Sequence, residues 1–97
     1  MKDFRDLIVW QKSMVLAKEV YVYTRKLPPE ERFGLSSQLQ RCSVSIPSNI
    51  AEGSKRGTRK DFVQFLRIAS GSAAELETQL QLVRDVYGLE SSKAGQL

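Results

Sequence analysis

One short segment concentrates the positive charge of this chain. Four of its six residues are cations, namely Lys55, Arg56, Arg59 and Lys60. Gly57 lies between them, and Thr58 can cap a helix that starts directly afterwards. Flexible cations beside the free amides of a helix N-terminus are typical of phosphate-binding sites. A solvated turn whose charges aid solubility fits the same residues, so both interpretations stay open. No aromatic residue lies in the segment, which argues against base stacking there.

The sequence offers little for catalysis. It has no His and only one Cys, which removes the usual proton shuttle, Cys-based zinc sites and the Glu-x-x-His pairs of di-iron bundles. Glu75 and Glu77 project about 200° apart on a helix and cannot share a site. Glu52 and Asp61 flank the basic segment and are the only acids that could approach each other across it. We therefore predict a protein without enzyme activity, metal or cofactor.

The composition bounds the class of protein. The chain has 97 residues, 41% of them hydrophobic, and a formal net charge of +4. This length predicts a single domain over residues 1–97. A small domain without a possible disulfide is typical of a reducing cytoplasm. No apolar run is longer than four residues, as in residues 7–10, which is far shorter than the ~20 residues that span a bilayer, so no membrane association is expected.

Apolar residues recur every three or four positions, which predicts an all-α fold. The expected helices cover residues 6–26, 35–52 and 59–87. Asp3 can accept hydrogen bonds from the first turn of the first helix, and Gly53 is expected to end the second. Pro47 lies inside the second helix and predicts a kink or a broken turn, with Asn49 or a serine bonding the exposed backbone. Residues 89–97 could begin a fourth helix, which predicts an up-and-down four-helix bundle whose last helix is short or truncated.

The third helix has more apolar surface than one core needs. Its main seam runs from Phe62 to Tyr87 in steps of three and four residues. A second strip predicts a contact with another copy of the chain; its apolar members are Phe65, Ile68, Leu82 and Val86. The small residues around Gly71 would let another helix approach closely.

Three further residues are assigned structural roles. Cys42 lies on the apolar stripe of the second helix and is expected to be buried and inert. Trp10 shares a register with Leu7 and Met14 and is expected in the core. Glu75 and Gln79 are one helical turn apart and predict a buried or interfacial hydrogen-bonded pair.

Two long motifs resemble one bacterial family. Residues 45–53 read SIPSNIAEG and residues 69–80 read ASGSAAELETQL; residues 7–12, LIVWQK, match as well. This combination resembles the four-helix bundle proteins encoded in intervening sequences of bacterial 23S ribosomal RNA genes. The resemblance extends over residues 4 to about 89.

The resemblance implies an up-and-down four-helix bundle that assembles as a ring-like homopentamer. It also extends to the accessory proteins of diversity-generating retroelements, which bind a reverse transcriptase and nucleic acid. One hypothesis is therefore a non-enzymatic oligomer that binds RNA or an RNA–DNA hybrid. A second is an adaptor that binds a protein partner such as a reverse transcriptase, and a third is a nuclease or other enzyme.

Overall fold

The computed structural model describes residues 3–89, and this part of the chain contains α-helices, 3₁₀ turns and no β-strand. The helices are α1 (Ile8–Thr24), α2 (Leu35–Lys55) and α3 (Arg59–Tyr87). The all-α prediction is confirmed, with three α-helices in the described residues. The expected fourth helix falls almost entirely on residues 90–97, which lie outside the described residues.

The first helix is shorter than predicted. Asp3 does cap a first turn, since its Oδ1 accepts a hydrogen bond of 2.9 Å from the Arg5 amide. That turn, Phe4–Asp6, is a 3₁₀ turn, and Leu7 then adopts an extended conformation. The α-helix therefore begins at Ile8 and ends at Thr24, two residues inside each predicted boundary.

The second helix is longer than predicted and runs through its proline. It is unbroken from Leu35 to Lys55, so a broken turn at Pro47 does not occur, and the alternative of a kink stays a prediction. The Asn49 side-chain amide does donate to a backbone oxygen, that of Ser45, at 2.8 Å. Gly53 does not end the helix; Gly57 instead takes the left-handed conformation, with φ of +88°.

Gly53 serves the packing of α2 against α3. It is buried, and a Cβ atom placed there would lie 2.6 Å from the Cβ atom of Phe65 and 3.2 Å from Cδ1 of Phe62. Non-bonded carbon atoms do not approach to 2.6 Å, so a side chain at this position would push the two helices apart. The glycine that the sequence pattern assigned to a helix end thus permits a close helix crossing.

The third helix matches its predicted bounds. The Thr58 hydroxyl oxygen accepts a hydrogen bond of 3.1 Å from the Asp61 amide, as its N-cap role requires. The 29 residues of α3 give a rod of about 44 Å, close to the 43 Å longest dimension of the molecule. Within residues 3–89, nothing lies within 4 Å of a Cβ atom placed on Gly71, so no other helix of the chain approaches it.

The core lies along α2, against which both other helices pack. Its most deeply buried apolar side chains are Val20, Leu39, Ile50, Leu76 and Val83. They come from all three helices and recur at the three- and four-residue spacing that the sequence predicts for buried helix faces. Just past the end of α3, the Tyr23 hydroxyl donates a hydrogen bond of 3.0 Å to the carbonyl of Leu89 and ties that end to α1. None of the described helices is long and apolar enough to cross a membrane.

Candidate nucleic-acid interface

The basic segment forms the junction between α2 and α3. Lys55 is the last residue of α2, Arg56 follows it, and Arg59 and Lys60 open the first turn of α3. All four side chains are exposed. The left-handed Gly57 reverses the chain between them, which places cations on both sides of the turn. The structure therefore brings the predicted residues to one end of the molecule.

Arg56 is already engaged within the chain. Its Nη2 atom lies 2.7 Å from Oε2 of Glu52, one turn back on α2, in an exposed ion pair. Its guanidinium carbon also lies 5.1 Å from the centre of the Phe65 ring. A cation with these two partners is less available to a phosphate. The contact with Phe65 lies outside the buried core, so the side chain remains at the surface.

Arg59 and Lys60 instead share a surface with a cation further along α3. They line an open depression of about 550 Å³ on the surface of α3 together with Val63, Gln64 and Arg67. Arg67 is exposed and lies seven residues, or two helical turns, beyond Lys60. We call the group Arg59, Lys60 and Arg67 the basic cleft. None of its three cations forms an ion pair within residues 3–89. Helical periodicity is the signal that adds Arg67 to the candidate site, since it lies outside the dense run of cations.

Lys55 lies near the N-terminal 3₁₀ turn. Asp3 forms an ion pair of 2.9 Å with Arg5, and its pKa is lowered by the Arg5 amide and guanidinium and, more weakly, by the charge of Lys55. The acids at this end therefore offset part of its positive charge. This arrangement leaves the basic cleft as the most available group of cations at the junction.

Acidic residues at the junction do not form a metal site. No group of three or more His, Cys, Asp or Glu residues able to hold a metal ion occurs within residues 3–89. Glu52 is paired with Arg56, and Asp61 lies in the first turn of α3, where its charge suits the helix dipole. The absence of an enzyme activity stays a prediction.

The predicted self-association strip divides into two parts. Phe65 is half-buried against Gly53 of α2 and lies beneath Arg56, so it packs within the chain. Ile68, Leu82 and Val86 are exposed by 47%, 47% and 63% of their surface. These three residues keep the character expected of a contact with another molecule, and the contact itself stays a prediction.

The residues assigned structural roles lie mostly where expected. Cys42 is buried, its thiol donates to the Ser72 carbonyl at 3.0 Å, and burial together with the Glu75 carboxylate raises its pKa. Trp10 is half-buried and meets the Phe4 ring edge to face, with 5.3 Å between the ring centres.

The predicted Glu75–Gln79 pair does not form: Glu75 is exposed, and the buried Oε1 atom of Gln79 has no donor within the described chain.

A second cationic cleft lies at the opposite end, beside the linker from α1 to α2. Arg25 and Arg32 line it, with Pro28 and Gln40, around a volume of about 460 Å³. The ring of neighbouring Phe33 is 88% exposed and has the Arg32 guanidinium carbon 5.3 Å from its centre. The course of the linker after α1 brings these two arginines to one cleft.

Together, the fold and the basic cleft define a small helical protein with a cationic surface. The sequence model of one family, 23S rRNA-intervening sequence protein, matches residues 5–97. The chain belongs to this family, as its motifs indicated. No curated protein matches the sequence.

Proposed function

We propose that this protein is a non-enzymatic, self-associating protein that binds nucleic acid, with RNA as the preferred class, through the basic cleft. The supporting observation is the group formed by Arg59, Lys60 and Arg67, exposed and without ion-pair partners in the described chain. Such a group can bind phosphate oxygens, because Arg and Lys donate several charge-assisted hydrogen bonds.

The geometry of the basic cleft suits a contact with the phosphate backbone of a nucleic acid rather than with its bases. The cleft extends over the first two to three turns of α3, where cations lie beside the free amides of the helix N-terminus. The other two residues of its lining, Val63 and Gln64, provide no ring on which a base could stack. Binding is therefore expected to depend on charge and shape, with little preference for sequence.

The proposal is tested by measuring RNA affinity over a range of salt concentrations. The parent is compared with a variant containing Arg59→Gln, Lys60→Gln and Arg67→Gln. If each cation neutralises one phosphate, the slope of log affinity against log salt becomes shallower by about 2, since each contact with a single strand contributes about 0.7. Affinity at low salt is expected to fall about tenfold or more.

A matched control removes the same charge elsewhere. Lys12→Gln, Lys26→Gln and Arg32→Gln alter three exposed cations outside the basic cleft, and this variant should bind like the parent. If the control loses affinity and the cleft variant does not, the contact lies on the surface formed by α1 and the linker instead. Absence of RNA binding by the parent at low salt would contradict the proposal and favour an adaptor that binds a protein partner such as a reverse transcriptase.

We also propose that the chain self-associates through the exposed part of the α3 strip. Three large apolar side chains, those of Ile68, Leu82 and Val86, are exposed on one flank of α3. In a monomer they remain in contact with water and do not add to the stability of the core. The family resemblance supports a ring-like homopentamer of four-helix bundles, and the composition supports a cytoplasmic location. A ring would repeat the basic cleft and raise the number of phosphates bound at once.

A further inference from the structure

An apolar groove runs between α1 and α2. It has a volume of about 500 Å³, and its largest apolar side chains are those of Trp10, Met14, Tyr21, Val22, Val44 and Pro47. Val22 and Val44 are exposed by 53% and 41%, so described residues leave the groove open to solvent. Its charged lining consists of Lys18 and Arg25, with no carboxylate among the described lining residues. The groove therefore suits an apolar surface that also presents a negative charge.

The exposed strip of α3 has this complementary character. Glu75 lies seven residues after Ile68 and seven before Leu82, so all three share one flank of the helix. Glu75 is exposed and forms no ion pair within residues 3–89. The strip thus has apolar side chains towards its two ends, small and polar residues between them, and the Glu75 carboxylate near its middle, in a cleft that Arg41 also lines.

The spacing of the two surfaces also agrees. Lys18 lies about 12 Å along α1 from Trp10 and about 10 Å from Arg25, near the middle of a groove about 22 Å long. Glu75 lies about 10 Å along α3 from both Ile68 and Leu82, in a strip about 27 Å long from Ile68 to Val86. A helix laid along the groove can therefore place Glu75 against Lys18 while apolar residues fill the groove on both sides.

We propose that the α1–α2 groove of one subunit receives the strip Ile68–Glu75–Leu82–Val86 of a second copy. The inference rests on the self-association proposed above and identifies the surface that the strip meets. Groove and strip are different patches, so each subunit has one of each. Such a contact repeats from subunit to subunit and closes into a ring when the rotation permits.

A mixing experiment distinguishes this contact from a strip-to-strip contact. Ile68→Asp disables the strip and leaves the groove, whereas Val22→Asp disables the groove and leaves the strip. By sedimentation velocity, the parent is expected to be an oligomer and each variant a monomer. An equimolar mixture should give a heterodimer and nothing larger, because only one intact groove and one intact strip meet.

Other outcomes overturn the proposal in distinguishable ways. A monomeric parent at high concentration contradicts self-association itself. An oligomeric parent whose Val22→Asp variant remains oligomeric, or whose two variants stay monomeric when mixed, preserves self-association but excludes the groove. Circular dichroism of each variant shows that the helices are retained.

A charge exchange provides a second test with exposed residues alone. Lys18→Glu and Glu75→Lys should each weaken assembly about tenfold or more, and the double variant should restore it, since the pair is rebuilt with reversed signs. Glu77→Lys makes the same charge change on another face of α3 and should leave assembly unchanged. Failure of the double variant to recover would exclude the Lys18–Glu75 pairing.

Discussion

Glu31 links three parts of the chain through one carboxylate. Its Oε1 atom accepts a hydrogen bond of 3.1 Å from the Leu35 amide at the start of α2, and its Oε2 atom accepts one of 2.5 Å from the Tyr87 hydroxyl at the end of α3. The Tyr87 hydroxyl, followed by the Leu35 amide, lowers the pKa of Glu31. The carboxylate therefore stabilises the fold more strongly when it is ionised than when it is protonated.

Glu31→Ala is expected to lower the midpoint of thermal unfolding at neutral pH, whereas Glu30→Ala, at the neighbouring carboxylate, should have a much smaller effect. Because the folded pKa lies below the unfolded one, the contribution of Glu31 is complete above about pH 4.3 and is lost as the pH falls through the folded pKa. Thermal melts of the parent and Glu31→Ala should therefore converge in acid. A difference that is independent of pH would contradict this role.

The thiol of Cys42 is expected to react slowly. It is buried, donates to the Ser72 carbonyl, and has a raised pKa, so little thiolate is present at neutral pH. A maleimide or aromatic disulfide reagent should modify the folded protein far more slowly than the unfolded chain in denaturant. Equal rates in the two states would show that this part of the α2–α3 contact opens readily.

At the scale of helices, the crossing of α2 and α3 depends on Gly53. Gly53→Ala places a methyl group against Phe65 and Phe62 and is expected to cost about 1–3 kcal/mol of unfolding free energy. Gly71→Ala adds the same methyl group to α3 where the described chain has nothing within 4 Å, and should gain up to about 1 kcal/mol from helix propensity. Urea unfolding measures both. An equal effect of the two substitutions would contradict the close crossing.

The ends of the helices show how far sequence patterns predict the fold. The cap of α3 follows from Thr58 and the periodic residues after it, since capping is a local interaction. The start of α1 and the end of α2, in contrast, do not lie where the sequence predicts them. A 3₁₀ turn precedes Ile8, and Gly53 is held within α2 by its packing on Phe65, which lies 12 residues further along the chain. Tertiary packing overrides a local helix-end signal there.

The candidate site is likewise only partly visible in the sequence. Arg59 and Lys60 are found from charge density alone, while Arg67 joins them through helical periodicity and the shape of the cleft. Arg56 belongs to the same dense run, yet Glu52 and Phe65 engage it. A linear pattern does not distinguish a cation with partners inside the chain from one that faces solvent.

The whole molecule combines a net charge of +4 with apolar surfaces on two sides. One is the flank of α3 with Ile68, Leu82 and Val86, and the other is the groove between α1 and α2. If these surfaces meet in an assembly, the basic clefts repeat around it, and a long RNA can contact several at once. Affinity then depends on both the charge of each cleft and the number of linked subunits.

The salt dependence of RNA binding tests the central claim most directly. Affinity of the parent for a single-stranded RNA of mixed sequence should fall linearly with salt on logarithmic axes, and the variant with Arg59→Gln, Lys60→Gln and Arg67→Gln should show a slope shallower by about 2. Identical slopes and affinities for the two proteins would contradict the assignment of RNA binding to the basic cleft.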